Sequence, residues 1–345
     1  MKTLLVCERS AGHIFPALAF AECLIQQRKC RIYDIYFFAT SPFLAEYIKK
    51  KNFTVVGKGL KSRNILIEGF FRFFESLYII IKIRPERVIG FGGRDSFFLV
   101  LFSSIFRAKT AIYDPNVIMG KANKALSFFV KEILRGFKSK EKNKKEKIIG
   151  IPLRQNIKII DKKKARQTLG LDDQRPVILC LGGSQGSVFL NEVFIKFVQK
   201  HRYPLQVIHL TGKDEYLKIS QFYNKTGMKS FVKDFYFDIE IPYSAADIVV
   251  SRAGAVTLAE ISYFRLPSVL IPLIKAGGHQ RENTIYLERR GAAFVCPQKD
   301  FSFERFSHVL ESLIQDEDLR QSMSNNIEGT ELGVGFEEFC SSGYF

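Results

Sequence analysis

The stretch "RPVILCLGGSQGSVFLNEVFIKFVQK", residues 175–200, passes from β-forming apolar residues through a turn of small residues into a helical pattern. Val177 to Leu181 are apolar without alternation, as in a strand buried on both faces of a parallel sheet. From Val188 onward apolar residues recur at helical spacing among Asn191, Glu192 and Lys196. A strand, a glycine turn and a helix bring backbone N–H groups and the positive helix end to one point, which suits a phosphate. Glycine there lets the ligand approach the backbone closely. The turn, residues 182–187, is not G-x-G-x-x-G, and no acidic residue closes the next strand where a dinucleotide ribose would need one. Nor does it carry the Gly-Lys-Ser/Thr of a P-loop. The residues point to a phosphate site outside both of those classes. A tight strand–helix turn with no ligand is the other reading.

The same alternation extends in both directions. "TLLVC", "IYDIYFFAT", "RVIGFGG" and "TAIYD" read as strands in the first half, with helices at "PALAFAECLIQQ", "PFLAEYIKKK" and residues 65–82. In the second half "VILCLGG", "QVIHLTG", "DIVVSRA", "SVLIPL" and "AFVC" read as strands. There "SVFLNEVFIKFVQK", "AVTLAEISYF" and "QRENTIYLERR" read as helices. This order predicts an α/β chain of two Rossmann-like, doubly wound domains facing across a cleft. The lysine-dense run "KSKEKNKKEK", 138–147, breaks the pattern and reads as a solvated linker, with attraction to anionic lipid as a secondary role. The expected division is 1–140, a linker at 141–160, 161–328, and a tail at 329–345 without an amphipathic pattern, frayed or altered. Other small-residue loops follow strands at "CERSAGH", "GFGGRDS" and "SRAGAVTLAE". Open α/β sheets bind ligands at such strand ends, so two phosphate-bearing ligands are expected.

The formal net charge of +17 calls for an anionic partner. The six cysteines match no zinc-ligand spacing and no C-x-x-C, and read as reduced, buried residues of a cytoplasmic protein. No run reaches the roughly 18–20 apolar residues of a membrane span, and the N-terminus does not read as a signal peptide.

Seven segments occur in order: "GHIFPALAFAECL", "RPERVIGFGGRDSF", "NVIMGKANKAL", "IGIPLRQNI", "LGGSQGSVFLNE", "SRAGAVTLAEI" and "GGHQRENTIYLERRGAAF". Together they resemble glycosyltransferase family 28, the GT-B enzymes that convert lipid I to lipid II in peptidoglycan synthesis. The resemblance implies an inverting transfer of N-acetylglucosamine from UDP-N-acetylglucosamine to a polyprenyl-diphosphate-linked acceptor, without cofactor or metal. On the donor side it implies Gly183, Ser184 and Gln185 at the diphosphate and Arg154 as a cation near the diphosphate or uridine. Phe235 would border uracil, with Tyr236 backbone groups reading its edge. Gly254 and Ala255 would present a helix end to phosphate, Glu260 would meet the ribose, and Gln280, Asn283 and His279 would meet the sugar. On the acceptor side it implies Gly12, His13, Gly92, Gly93 and Asn116. His13 is the first candidate for the general base and Asp114 the second.

Two departures from the family lie on the acceptor side. The first loop reads Cys7-Glu8-Arg9-Ser10-Ala11-Gly12-His13, poor in glycine and with an acidic residue where a diphosphate would dock. "YDPN" at 113–116 replaces a His-Glu-Gln-Asn run, and Pro115 removes a donor. A different lipid or glycan acceptor, or a non-catalytic nucleotide-sugar-binding relative, are therefore the alternatives. Residues 65–83, "ILIEGFFRFFESLYIIIKI", carry many aromatics beside Arg72, Lys82 and Arg84. They read either as an internal helix or as a peripheral contact with an anionic membrane at its cytoplasmic face. The basic residues are dispersed and no nucleic-acid motif is present, so nucleic acid is not an expected partner.

Overall fold

The structure is a computed structural model. It describes the chain except residues 9, 58–64, 95, 139–142, 202, 274–277, 329, 331 and 344–345, and the side chains of 65 and 66. Arg9 and the centre of the lysine run thus lie outside the described residues. Two compact units form: Met1–Gln155 with Val334–Phe345, and Asn156–Gly333.

In chain order the first unit holds β1 (Thr3–Val6), α1 (Ala11–Gln26), β2 (Ile35–Phe38), α2 (Pro42–Lys50), β3 (Thr54–Val56), α3 (Ile65–Ile83), β4 (Arg87–Gly90), α4 (Phe97–Ile105), β5 (Lys109–Asp114), α5 (Lys121–Leu126), β6 (Glu132–Arg135), β7 (Glu146–Ile148) and β8 (Ile151–Pro152). Seven strands form one parallel sheet in the order β3-β2-β1-β4-β5-β6-β7. The order reverses between β1 and β4, so the loops leaving those two strands share the crevice where such sheets hold ligands.

The second unit holds α6 (Lys162–Thr168), β9 (Val177–Leu181), α7 (Val188–Lys200), β10 (Gln206–Leu210), α8 (Tyr216–Thr226), β11 (Ser230–Lys233), α9 (Glu240–Ala245), β12 (Ile248–Ser251), α10 (Ala255–Tyr263), β13 (Ser268–Leu270), α11 (His279–Glu288), β14 (Ala293–Val295), α12 (Phe303–Gln315) and α13 (Glu317–Ile327). β15 (Gly333–Val334) and α14 (Phe336–Ser341) end the chain. Its parallel sheet runs β11-β10-β9-β12-β13-β14 and reverses between β9 and β12. All residues of β9, β10 and β12 are buried, as the unbroken apolar runs predicted. Strands β3, β6, β7, β8, β11 and β15 escaped the sequence reading: each has two to four residues, and β3, β7 and β11, at sheet edges, are not the continuous buried apolar runs that marked the others.

The tail, read from the sequence as frayed or altered, carries a helix. Helix α14 belongs with the first unit, where Phe339 is fully buried and its ring lies 4.9 Å from that of Phe20 on α1. Gln26 Nε2 donates to Glu337 Oε2 at 2.8 Å, and Gln27 donates to the Cys340 carbonyl. Six residues are too few to show a helical period, so the partner surface decides the conformation. Phe339→Ala is expected to destabilise the first unit by about 3–5 kcal/mol, from lost transfer energy and the cavity left behind. Urea unfolding followed by tyrosine fluorescence measures it, and a loss under about 1 kcal/mol would mean that α14 is not part of this core.

All six cysteines are buried and free, as expected. Helix α3 turns much of its aromatic surface outward: Phe70, Phe71, Phe74, Tyr78 and Ile81 are exposed, with Lys82 and Arg84 beside them. Arg72 corrects the sequence reading. It is not a surface cation but a buried one, paired with Glu75 at 2.7 Å and lying over the Phe38 ring. No helix among the described residues is long and apolar enough to cross a membrane.

Candidate functional site

At the switch point of the first sheet, Gly92 and Gly93 follow β4 with φ of +94° and +96°, a left-handed backbone that glycine adopts without strain. Ser96 Oγ hydrogen-bonds both of their carbonyls, at 3.1 and 2.8 Å. The first turn of α1 lies against them: a Cβ built on Gly92 would come 3.5 Å from His13 Nε2 and 3.4 Å from Asn123 Nδ2. His13 Nδ1 is buried with no hydrogen-bond partner among the described residues. Desolvation lowers the His13 pKa below its ordinary 6.5, with Asp114 opposing the shift, so the imidazole is neutral near pH 7.

Asp114 ends β5 and is 2 % exposed. Its Oδ1 accepts from Asn116 N and Nδ2 at 3.1 and 3.2 Å, and its Oδ2 from Gly120 N and Asn123 Nδ2, both at 2.9 Å. Buried Arg135 secures the same loop by donating to the Asn116 and Val117 carbonyls at 3.1 and 2.8 Å. The carboxylate thus organises residues 114–123, and Asn123 carries that order to Gly92. The structure brings Gly12, His13, Gly92, Gly93, Asp114 and Asn116 into one neighbourhood. Glu8 joins it, because a Cβ on Gly93 would fall 1.8 Å from Glu8 Cδ. The acidic departure therefore lies directly over the glycine pair.

The second unit has a parallel arrangement. The turn after β9 is built on close approaches: a Cβ on Gly182 would meet Ser187 N at 2.5 Å, and one on Gly186 (φ +74°) would meet Thr211 O at 2.4 Å. Gly183 has φ +85° and open space before it; Gln185 is exposed and Ser184 half-buried. Ser187 caps α7 by accepting from Leu190 N. Arg252, just past β12, donates from Nε and Nη2 to Ser187 Oγ at 3.0 and 2.7 Å and from Nη1 to Ile271 O at 3.0 Å. No carboxylate pairs with it among the described residues. It ties together the ends of β9, β12 and β13, and the sequence reading missed it. The available signal was an arginine at the end of a strand, just ahead of a small-residue turn into a helix.

Gly254 precedes α10 and supplies no side-chain cap, so among the described residues that helix end is of the kind that suits an anion. Glu260, 6 % exposed, accepts at Oε2 from the Tyr243 hydroxyl at 3.0 Å. The Phe235 ring is half-buried, 4.9 Å from that of Phe237, and Tyr236 packs on Phe231. Gln280 Oε1 accepts from Leu273 N at 2.9 Å, fully buried Asn283 donates to Ala253 O at 3.4 Å, and His279 opens α11. Arg154 is the one residue named for the donor that belongs to the other unit of the chain. It lies in the first unit, 2 % exposed, with its guanidinium 4.0 Å from the Phe15 ring centroid and Nη1 3.3 Å from Tyr47 Oη. Among the described residues no group of three or more His, Cys, Asp or Glu is placed to hold a metal ion.

Comparison with known proteins follows the two units. Residues 9–135 match the glycosyltransferase family 28 N-terminal domain and residues 177–334 its C-terminal domain. The chain is 31% identical to a UDP-N-acetylglucosamine–N-acetylmuramyl-(pentapeptide) pyrophosphoryl-undecaprenol N-acetylglucosamine transferase of Caldicellulosiruptor saccharolyticus, over 96% of both chains. The Aquifex aeolicus protein of the same name is 31% identical over 89% of this chain and 90% of its own. Among solved structures, Acinetobacter baumannii MurG superimposes with a TM-score of 0.74 at 22% identity, covering 99% of each chain. The UDP-GlcNAc 2-epimerase of Neisseria meningitidis shares the fold at TM-score 0.67 and 12% identity, over 99% of this chain and 98% of that one.

Proposed function

The chain belongs to glycosyltransferase family 28, and on that premise we propose that it transfers N-acetylglucosamine from UDP-N-acetylglucosamine to undecaprenyl-diphospho-N-acetylmuramoyl-pentapeptide, making lipid II from lipid I. The observation that carries the reading is the donor-side pairing at the second sheet's switch point. There the 182–187 turn and the uncapped start of α10 flank Arg252, a cation with no carboxylate partner among the described residues. Helix ends, backbone N–H groups and one guanidinium offset the charge that develops on a leaving diphosphate without requiring a metal ion.

In this reading Gly183, Ser184 and Gln185 hold the diphosphate, with Gly254 and Ala255 at the helix end. Phe235 and Tyr236 frame the uracil. Glu260, already oriented by Tyr243, accepts from the ribose, and His279, Gln280 and Asn283 meet the sugar hydroxyls. Arg154 supplies a cation to the donor diphosphate or uridine, its guanidinium resting on the Phe15 ring of α1 and donating to Tyr47 of α2. In the first unit Gly12, Gly92, Gly93 and Asn116 cradle the acceptor diphosphate. His13 takes the proton of the attacking sugar hydroxyl, the new bond forms at the anomeric carbon, and UDP leaves with inversion. Asp114 serves by fixing the 114–123 loop, since both of its oxygens are engaged. The exposed aromatics of α3 and the cations beside them dock the protein peripherally on anionic lipid at the cytoplasmic face of the membrane.

One observation favours a second reading. Glu8 beside Gly93 puts an acidic residue where a diphosphate would dock, which suits a lipid acceptor of lower charge. Calorimetric titration with UDP and UMP, in a chelator, tests the donor half. We expect UDP to bind with EDTA present and UMP to bind at least about tenfold more weakly, because the glycine turn serves the second phosphate. Equal affinities would remove the diphosphate from that turn.

A further inference from the structure

We propose that His209 is a positioning residue for the donor site: from within the core it sets the height of the 182–187 turn through Asn191 and the Thr211 peptide. The proposal rests on the donor reading above.

His209 lies on β10 and is fully buried. Its Nε2 is 3.1 Å from Asn191 Oδ1, and its Nδ1 is 3.1 Å from the Tyr223 hydroxyl. The direction of these bonds follows from the far end. Asn191 Nδ2 donates to the Thr211 carbonyl at 2.9 Å, which turns the amide oxygen toward the imidazole. An amide oxygen only accepts, so Nε2 carries the proton, Nδ1 accepts, and Tyr223 donates. The result is a one-way chain: Tyr223 O–H to Nδ1, Nε2–H to Asn191, and Asn191 N–H to Thr211 O. Burial lowers the His209 pKa to about 3, which keeps the ring neutral at any working pH.

The chain ends where two ligand-facing loops meet. Thr211 O is the atom that a Cβ on Gly186 would strike at 2.4 Å, and Gly212 lies against Gly186, its own Cβ position being 2.5 Å from Gly186 Cα. On its other side the same dipeptide is fixed to the loop that carries Phe235: Thr211 N donates to Lys233 O and Gly212 N to Asp234 O, both at 3.0 Å. The Thr211–Gly212 peptides therefore stand between the turn assigned to the diphosphate and the loop assigned to the base. His209 and Tyr223 touch neither ligand. They fix the Asn191 amide so that its N–H, and not its oxygen, faces Thr211.

Two variants test this, His209→Phe and Tyr223→Phe. His209→Phe keeps a ring in the core and removes both bonds. Tyr223→Phe removes only the hydroxyl that donates to Nδ1. We expect the UDP dissociation constant to rise about tenfold in His209→Phe and about threefold in Tyr223→Phe, with the KM for the lipid acceptor unchanged. Amide hydrogen exchange at 183–187 is expected to quicken in both. Should His209→Phe fail to fold, Tyr223→Phe carries the test. A lowered Tm with unchanged UDP affinity and unchanged exchange at 183–187 would overturn the proposal and leave His209 a core residue only. Failure of the wild type to bind UDP would instead sink the donor reading, while the exchange comparison would still decide whether His209 positions the turn.

Discussion

His13→Ala lowers kcat by about 10²- to 10⁴-fold, the range expected when a positioned general base is removed, and leaves UDP affinity within about twofold. The separation is expected because His13 belongs to the first unit, against Gly92, whereas the glycine turn and the helix end assigned to the UDP diphosphate belong to the second. A His13 side chain that served only to order the helix start would cost acceptor KM and leave kcat largely intact. The pH profile adds an independent check. Desolvation lowers the His13 pKa from 6.5, so the basic form persists to lower pH than for an ordinary histidine. The acid limb of kcat/KM, which reports the free enzyme, should therefore reach half-maximum below pH 6.5 and be absent in His13→Ala. A half-maximum above pH 7 would assign the proton to another group.

Gly186→Val lowers donor use by about 10²-fold or more while sparing the fold of the first unit. At φ +74° the backbone is left-handed, and any Cβ would lie 2.4 Å from Thr211 O and 2.7 Å from Gly212 Cα, both backbone atoms that cannot rotate away. The two turns must separate. A shift of about 1 Å at groups that position a reacting substrate costs on the order of 10²-fold in rate. Gly183→Ala offers the contrast. Gly183 shares a positive φ of +85° but faces open space, so its penalty comes from backbone strain and ligand approach, not from collision within the protein. Steady-state kinetics with varied UDP-N-acetylglucosamine should show kcat/KM for the donor falling by about 10²-fold or more in Gly186→Val. A change under about threefold would mean that the 182–187 turn does not touch the donor.

The sequence carried much of this because its long strands are apolar on both faces and end in small residues. Val177–Leu181 with the turn behind it suffices to predict a parallel sheet with a ligand at its edge, and β9 lies beside the reversal as such a turn requires. What escaped was decided by partners far away in the chain. Arg252 was in view inside "SRAGAVTLAE", but only the fold brings it onto Ser187. Residues 336–341 have no pattern of their own and become helical against α1. Arg72 looks like a surface cation in a list of neighbours and is buried once Glu75 and Phe38 surround it. His209 sits in a plain β-strand run, and only the bonds at both ring nitrogens distinguish it. Pattern reports which face of an element is covered. It does not report which polar group meets which.

The most direct test of the account is transfer of radiolabelled N-acetylglucosamine from UDP-N-acetylglucosamine to a short-chain lipid I analogue by the purified protein, with and without anionic vesicles, and with diacylglycerol as a competing acceptor. The account predicts a lipid II-type product, more of it with vesicles, and none from diacylglycerol. Transfer to diacylglycerol alone, or intact UDP binding with no product from either acceptor, would contradict it.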